Sequence, residues 1–132
     1  RLITHEQARA VDTAAIAAFL RSSVAGEIRA AKRVWREYRF ALLVPAKSYD
    51  KNLTTDDQMM LQGVTDCCFE TEEGLTVVDF KTDRIEPGEE AQRAKWYRGQ
   101  LEAYAQALEK VLQIKAHRKV LYFFATNKEI TL

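Results

Sequence analysis

Two rhythms of apolar residues divide the chain. Up to Ala31 they recur at helical intervals, in short alanine-rich pieces. From Val34 onward they form strand-like runs and alternations, broken by one long helical stripe. Thr4 and Gln7 have the spacing of a capping box, which predicts a short helix to about Val11. Asp12 is placed to cap a second helix through Ala14, Ala15, Ile16, Phe19 and Leu20. Ser22 and Ser23 interrupt it, and a third piece runs to about Ala31. These short pieces predict a helical cover, not a catalytic floor.

Val34 to Val44 is rich in β-formers and reads as a strand, ended by Pro45. Ala46 to Asp57 is polar and reads as a loop. Gln58 to Glu70 reads as a second strand, in which Gly63 marks a bulge or a close backbone approach. Thr71-Glu72-Glu73-Gly74 is a tight turn, so a hairpin leads into the run Val77-Val78-Asp79-Phe80-Lys81-Thr82. Glu86-Pro87-Gly88 breaks the chain before one long helix, Glu89 to about Gln113. Its apolar stripe is read as Trp96, Ala103, Tyr104, Ala107 and Val111, with Gln100 and Tyr104 together on the buried face. Lys119 to Ala125 reads as a buried strand, parallel to the hairpin strand before the helix. Ile130 to Leu132 begins an edge strand, and His117 lies exposed in the connection before Lys119. Helices, strand, hairpin, long helix and strand make an α/β domain: a mixed sheet flanked by helices.

Composition narrows the class. At 132 residues, 47% apolar and 30% charged, the chain suits a single globular domain with one core. No apolar run is long enough to cross a membrane. A net charge of +1 neither demands nor excludes nucleic acid. Cys67 and Cys68 are adjacent and point to opposite faces of a strand, so they read as small apolar fillers in a reducing, cytoplasmic setting.

Polar residues inside apolar runs are the candidate chemistry. Asp79 and Lys81 are two apart in a strand and share a face. Taken bare, they are a structural ion pair. Glu37 taken bare is a solvated residue between Arg36 and Arg39, and Gln100 a residue bonded to a backbone group. His5 is an exposed residue at a helix start. Asp66 is a carboxylate inside an apolar run, and its place depends on the hairpin. If Thr71 pairs with Gly74, Asp66 falls opposite Asp79. If Glu72 and Leu75 flank the loop, it falls opposite Lys81. A three-residue loop puts it on the other face unless a bulge restores the phase.

In order along this frame stand Glu37, Asp66, Asp79-x-Lys81 and Gln100-x-x-x-Tyr104. The set resembles the PD-(D/E)xK nuclease superfamily, specifically the RecB-like nuclease domain at the C-terminus of bacterial AddA-type helicase–nucleases. Local strings carry the likeness further: Trp35 to Phe40, Leu61 to Asp66, Val78 to Asp83, Gly99 to Tyr104 and Leu121 to Phe124. It is strong from Arg33 to Leu132 and looser over residues 1–32. The resemblance implies a restriction-endonuclease-like fold, with a helical section over residues 1–32 and a catalytic core over residues 33–132. It implies Mg²⁺-dependent cleavage of DNA, with Mn²⁺ as substitute, in a larger ATP-driven complex with a partner subunit that processes double-strand breaks. Asp66, Asp79 and the Phe80 carbonyl would ligate the metal, which acidifies a bound water and offsets phosphate charge. Lys81 would orient the water or stabilise developing charge. Glu37 would reach the metal directly or through water, and Gln100 and Tyr104 would hold DNA or the metal shell.

There is one departure. Members of this type carry a further metal-ligand histidine upstream, in a Gly-Thr-x-x-His-like string that nothing in Arg1 to Ala31 matches. The expectation is that this sequence starts after it and that its metal site is weakened. No nucleotide-binding Gly-x-x-x-x-Gly-Lys-Ser/Thr string occurs either. The runner-up reading is a non-catalytic module of the same fold that guides DNA or docks another subunit. A third is a structural domain in which Asp66 and Asp79 point apart.

Overall fold

A computed structural model describes residues 13–46 and 57–132. Helix α1 (Thr13–Leu20) and helix α2 (Ser23–Ala30) precede strands β1 (Arg33–Pro45), β2 (Gln58–Thr71) and β3 (Gly74–Lys81). Helix α3 (Glu90–Leu112) then leads to β4 (Ala116–Phe123) and β5 (Lys128–Thr131). The five strands form one sheet in sequence order. β1, β2 and β3 are antiparallel neighbours, β4 runs parallel to β3, and β5 is antiparallel to β4. The expected mixed α/β sheet is therefore present. The helix expected before Val11, the Asp12 cap, His5 and most of the Ala46–Asp57 loop lie outside the described residues.

Alternation along β3 sorts the core into two layers. Leu75 and Val77 join Cys68, Leu121 and Phe123 under α3, where Leu101, Ala105 and Leu108 close the layer. Val78 joins Cys67, Phe69 and Val120 beneath α1 and α2, where Val24 fills the centre and Phe19 lies at the margin. β3 is thus covered on both faces, as its apolar sequence implies. Cys67 and Cys68 fall in different layers and are free thiols. Burial pushes them up to about 11 and 12. Each large side chain sealed in these layers contributes about 1.5–3 kcal/mol.

Ser22 does more than interrupt. Its Oγ accepts from the Ala25 amide (3.2 Å) and donates to the Phe19 carbonyl (2.6 Å), ending α1 and capping α2 in one residue. Glu27–Arg118 (2.5 Å) and Ser23–Glu129 (2.9 Å) tie α2 to β4 and β5.

Two readings of the chain need correction. The buried stripe of α3 is Ala94, Leu101, Ala105, Ala107 and Leu108, so Trp96 is 71% exposed and Gln100 is exposed too. The two leucines and the alanines set the contact, because small residues let the helix sit close on the sheet and indole does not. β4 begins at Ala116, which makes His117 a strand residue whose Nε2 lies 2.8 Å from Glu73 Oε2.

Candidate active site

β2 pairs with β3 from Thr71–Gly74 up to Cys67–Val78, and there the ladder ends. The next step in that register sets Asp66 opposite Asp79, the first of the three hairpin alternatives. Beyond the end of the ladder the Asp66 carboxylate acts as acceptor: its Oδ2 accepts a hydrogen bond from the Phe80 amide at 2.9 Å. Asp66 is 8% exposed. Burial pushes its carboxyl up to about 7, and its hydrogen bond and charge contact with Asp79 act in the same direction. The Phe80 amide opposes them.

Asp79 has a second partner. Lys81 Nζ lies 2.6 Å from Asp79 Oδ2, and both side chains are largely covered. Above the ammonium sits the ring of Tyr97, its centroid 3.8 Å from Nζ. The Tyr97 hydroxyl donates to Asp83 Oδ2 at 2.6 Å, and Arg93 lies 3.6 Å from the same oxygen. A buried ammonium needs such partners, because an isolated one would shed its proton. The Lys81 carbonyl accepts from the Phe124 amide (3.1 Å), which pins the end of β3 to the end of β4.

Glu37 stands opposite Asp66 on the other side of β2. Pairing runs Arg36–Cys67, skips one step, and resumes at Tyr38–Thr65. The skipped residues are Glu37 and Asp66. Glu37 has φ +49°, a left-handed conformation that costs a non-glycine residue about 1–2 kcal/mol. The break resets the phase of the strand: Trp35 and Tyr38, three apart, both pack toward α3. The Glu37 side chain is exposed, so the structure brings it to the row of carboxylates by register and not by contact.

Gln100 and Tyr104 remain neighbours on α3, with Gln100 Nε2 donating to Tyr104 Oη at 3.3 Å. The expected burial of Gln100 is not found. Tyr104 packs edge-on to Phe40 (5.1 Å between centroids) and lies directly over Gly63, where an added Cβ would come within 2.8 Å of its ring. That is the close approach Gly63 signalled. Tyr97, Gln100 and Tyr104 follow one another at helical spacing, so Gln100 stands between the ring over Lys81 and the ring over Gly63. Tyr97 and Asp83 escaped the sequence reading. An aromatic residue seven before Tyr104 on one helix side is the signal that could have found the first.

On the other side, Asp66 helps line a cavity of about 250 Å³ with Phe19, Ile28, Arg29, Arg36 and Phe80.

The sequence model of the PD-(D/E)XK nuclease superfamily matches residues 3–131, nearly the whole chain. The chain belongs to the PD-(D/E)XK nuclease superfamily. Among curated proteins it is similar to an ATP-dependent helicase/nuclease subunit of Desulforudis audaxviator, 38% identical over 127 residues, 95% of this chain and 10% of that protein. The corresponding helicase/nuclease subunit of Bacillus cytotoxicus is 39% identical over 140 residues, 99% of this chain and 11% of that protein. The chain therefore spans about a tenth of the length of these relatives.

Nucleases of this superfamily generally use divalent metal ions, and the donor set here fits one. Two carboxylates in contact, one of them pushed toward protonation by burial and then by the other, form a pair whose repulsion a hard dication relieves. The set is short, however. Among the described residues no group of three or more His, Cys, Asp and Glu could hold a metal. Phe80 joins the site through its amide. No helix among the described residues is long and apolar enough to cross a membrane.

Proposed function

We propose that residues 1–132 form a single nuclease domain of an ATP-dependent helicase–nuclease, which hydrolyses DNA phosphodiester bonds with Mg²⁺, or Mn²⁺ in its place. The observation that carries this reading is the convergence of Asp66 on Asp79 and the Phe80 amide, with Lys81 held on Asp79. Asp66, Asp79 and the Phe80 carbonyl would hold the metal. When bound, that metal supplies Lewis acidity for the phosphate and for the attacking water. The chain does the rest. Asp79 holds Lys81 in place, and Lys81 offsets charge as it builds on the scissile phosphate. The Phe80 amide fixes one oxygen of Asp66, so the other is left to turn toward its partners. Gln100 and Tyr104 position the DNA strand, and Glu37 contributes through water from the far side of β2. The relatives' name supports placement in a helicase–nuclease that handles DNA beside a second subunit. The two free thiols suit the reducing cytoplasm.

The test is Asp79→Asn in the full-length polypeptide. It keeps the shape of the side chain and removes its charge. The expected result is loss of cleavage by about a thousandfold, a loss typical when a charge-stabilising group is removed, with the fold retained by circular dichroism and a lower melting temperature, because Lys81 loses its charged partner. Full cleavage by this variant would exclude the reading. A second reading, a non-catalytic module that guides DNA, is favoured by the short donor set. It predicts salt-dependent DNA binding with no response to metal.

A further inference from the structure

We propose that the turn of α3 around Trp96 is a platform on which a base of single-stranded DNA stacks as the strand approaches Asp66, Asp79 and Lys81. The inference rests on the nuclease reading and adds to it the residue that receives the strand. Trp96 is the most exposed large apolar side chain among the described residues, at 71%. Its ring is a flat face open to solvent, of the kind on which a nucleic-acid base can stack. The Arg93 guanidinium lies over the ring, 4.5 Å from its centroid, and steadies it. Arg93 also reaches Asp83, which anchors Tyr97 over Lys81. The platform is therefore connected to the catalytic lysine through four contacts in series, Trp96 to Arg93, Asp83, Tyr97 and Lys81.

Charge selects the occupant. From Gln92 to Gln100 the helix carries Arg93, Lys95 and Arg98 and no acid, in a chain whose net charge is +1. Basic side chains around an exposed aromatic ring suit a phosphate backbone with unpaired bases, because every base has a face to stack. Gly99 agrees. It sits three residues after Trp96, inside the helix, where glycine is the poorest helix former after proline. Yet nothing lies within 4 Å of the Cβ it lacks. The fold gives no reason for a glycine there, whereas a strand passing close to the helix backbone does.

The experiment is photocrosslinking of a 5-iodouracil single strand to the metal-free full-length polypeptide, with the adducts mapped by mass spectrometry. An adduct on Trp96 is expected, and its loss in Trp96→Ala. In cleavage assays Trp96→Ala should raise KM about tenfold, the scale of one lost stacking contact, with kcat within about twofold. Trp96→Phe should restore most of the KM. Gly99→Ala should raise the melting temperature, and Gly99→Glu should raise KM without lowering that temperature. The proposal is overturned if no adduct forms on Trp96 and its KM is unchanged in the Ala variant. It is equally overturned if Trp96→Ala releases the partner subunit while KM stays put, since the face is then a protein contact. Normal cleavage by Asp79→Asn would remove the nuclease reading alone, because the adduct reports the platform without any cleavage.

Discussion

The two halves of β2 make different kinds of structure from one strand. From Cys67 to Glu70 it is paired on both edges, and Cys67, Cys68 and Phe69 are buried, the last two fully sealed. From Gln58 to Thr65 it is paired to β1 alone, and Met59 and Met60 stand exposed. The candidate chemistry sits on the seam. Inside a complete sheet every backbone group is already used, and a carboxylate has nothing to do there. At the seam the Phe80 amide has lost its ladder partner, and Asp66 takes it. The lesson is that this fold makes its site by ending a ladder early, not by adding a loop.

The sharpest way to break the contrast is to remove packing from the closed half. Phe69→Ala should cost about 3–5 kcal/mol, the usual scale for emptying a large sealed core position. Urea denaturation would read this as a large fall in midpoint. An equivalent change in the open half, Met60→Ala, should leave the midpoint within about 0.5 kcal/mol, since the side chain is 58% exposed. Equal losses at the two positions would mean the open half is covered in solution.

The next effect belongs to the seam itself. Asp66 is pushed from 3.8 to about 7, so the folded chain binds its proton more tightly than the unfolded chain. Stability in the absence of metal should therefore fall as pH rises from about 4 to 7. Asp66→Asn keeps the neutral shape and removes the titration. Its stability, compared with the native chain by urea midpoints across that window, should gain on the native value as pH rises and match it near pH 4. Added Mg²⁺ should erase the difference by stabilising only the native chain.

A smaller effect is steric. Gly63→Ala would drive a Cβ to 2.8 Å from the Tyr104 ring, on a core-facing contact that also includes Phe40. The cost should be about 1–3 kcal/mol, as for other overpacked sites. The double variant with Tyr104→Leu should recover some of it, which a thermodynamic cycle on melting data would measure.

These elements also show what the sequence could carry. The strands were legible because Val, Phe and Leu runs end at Pro45, at the Thr71–Gly74 turn and at Glu86-Pro87-Gly88. The Asp66–Asp79 meeting was legible only as one of three registers, since the choice turns on which residues close a four-residue turn. The face of α3 was misread at Trp96 and Gln100. Hydrophobicity alone favours burying indole, but Ala94, Leu101 and Ala105 allow closer approach to the sheet and win. The spacing of Tyr97, seven before Tyr104, marks its side of the helix, but nothing in the spacing tells that a lysine lies under the ring. The left-handed turn at Glu37 left none either, since nothing in Arg36-Glu37-Tyr38 asks for a positive φ.

Glu37 gives the finest test of the seam, because it separates backbone from side chain. Its φ of +49° is strained for glutamate and free for glycine. Glu37→Gly should relieve about 1 kcal/mol of strain and lose up to a similar amount to the greater freedom of the unfolded chain. The net change in melting should be close to zero, and the skipped step between Arg36–Cys67 and Tyr38–Thr65 should persist, read by amide exchange at Tyr38. If the side chain serves the metal through water, cleavage by the full-length polypeptide should fall while stability holds. If cleavage is unchanged, the strain at Glu37 serves only to reset the strand. The break in β1 then exists to free Asp66, and the carboxylate row is two residues wide, not three.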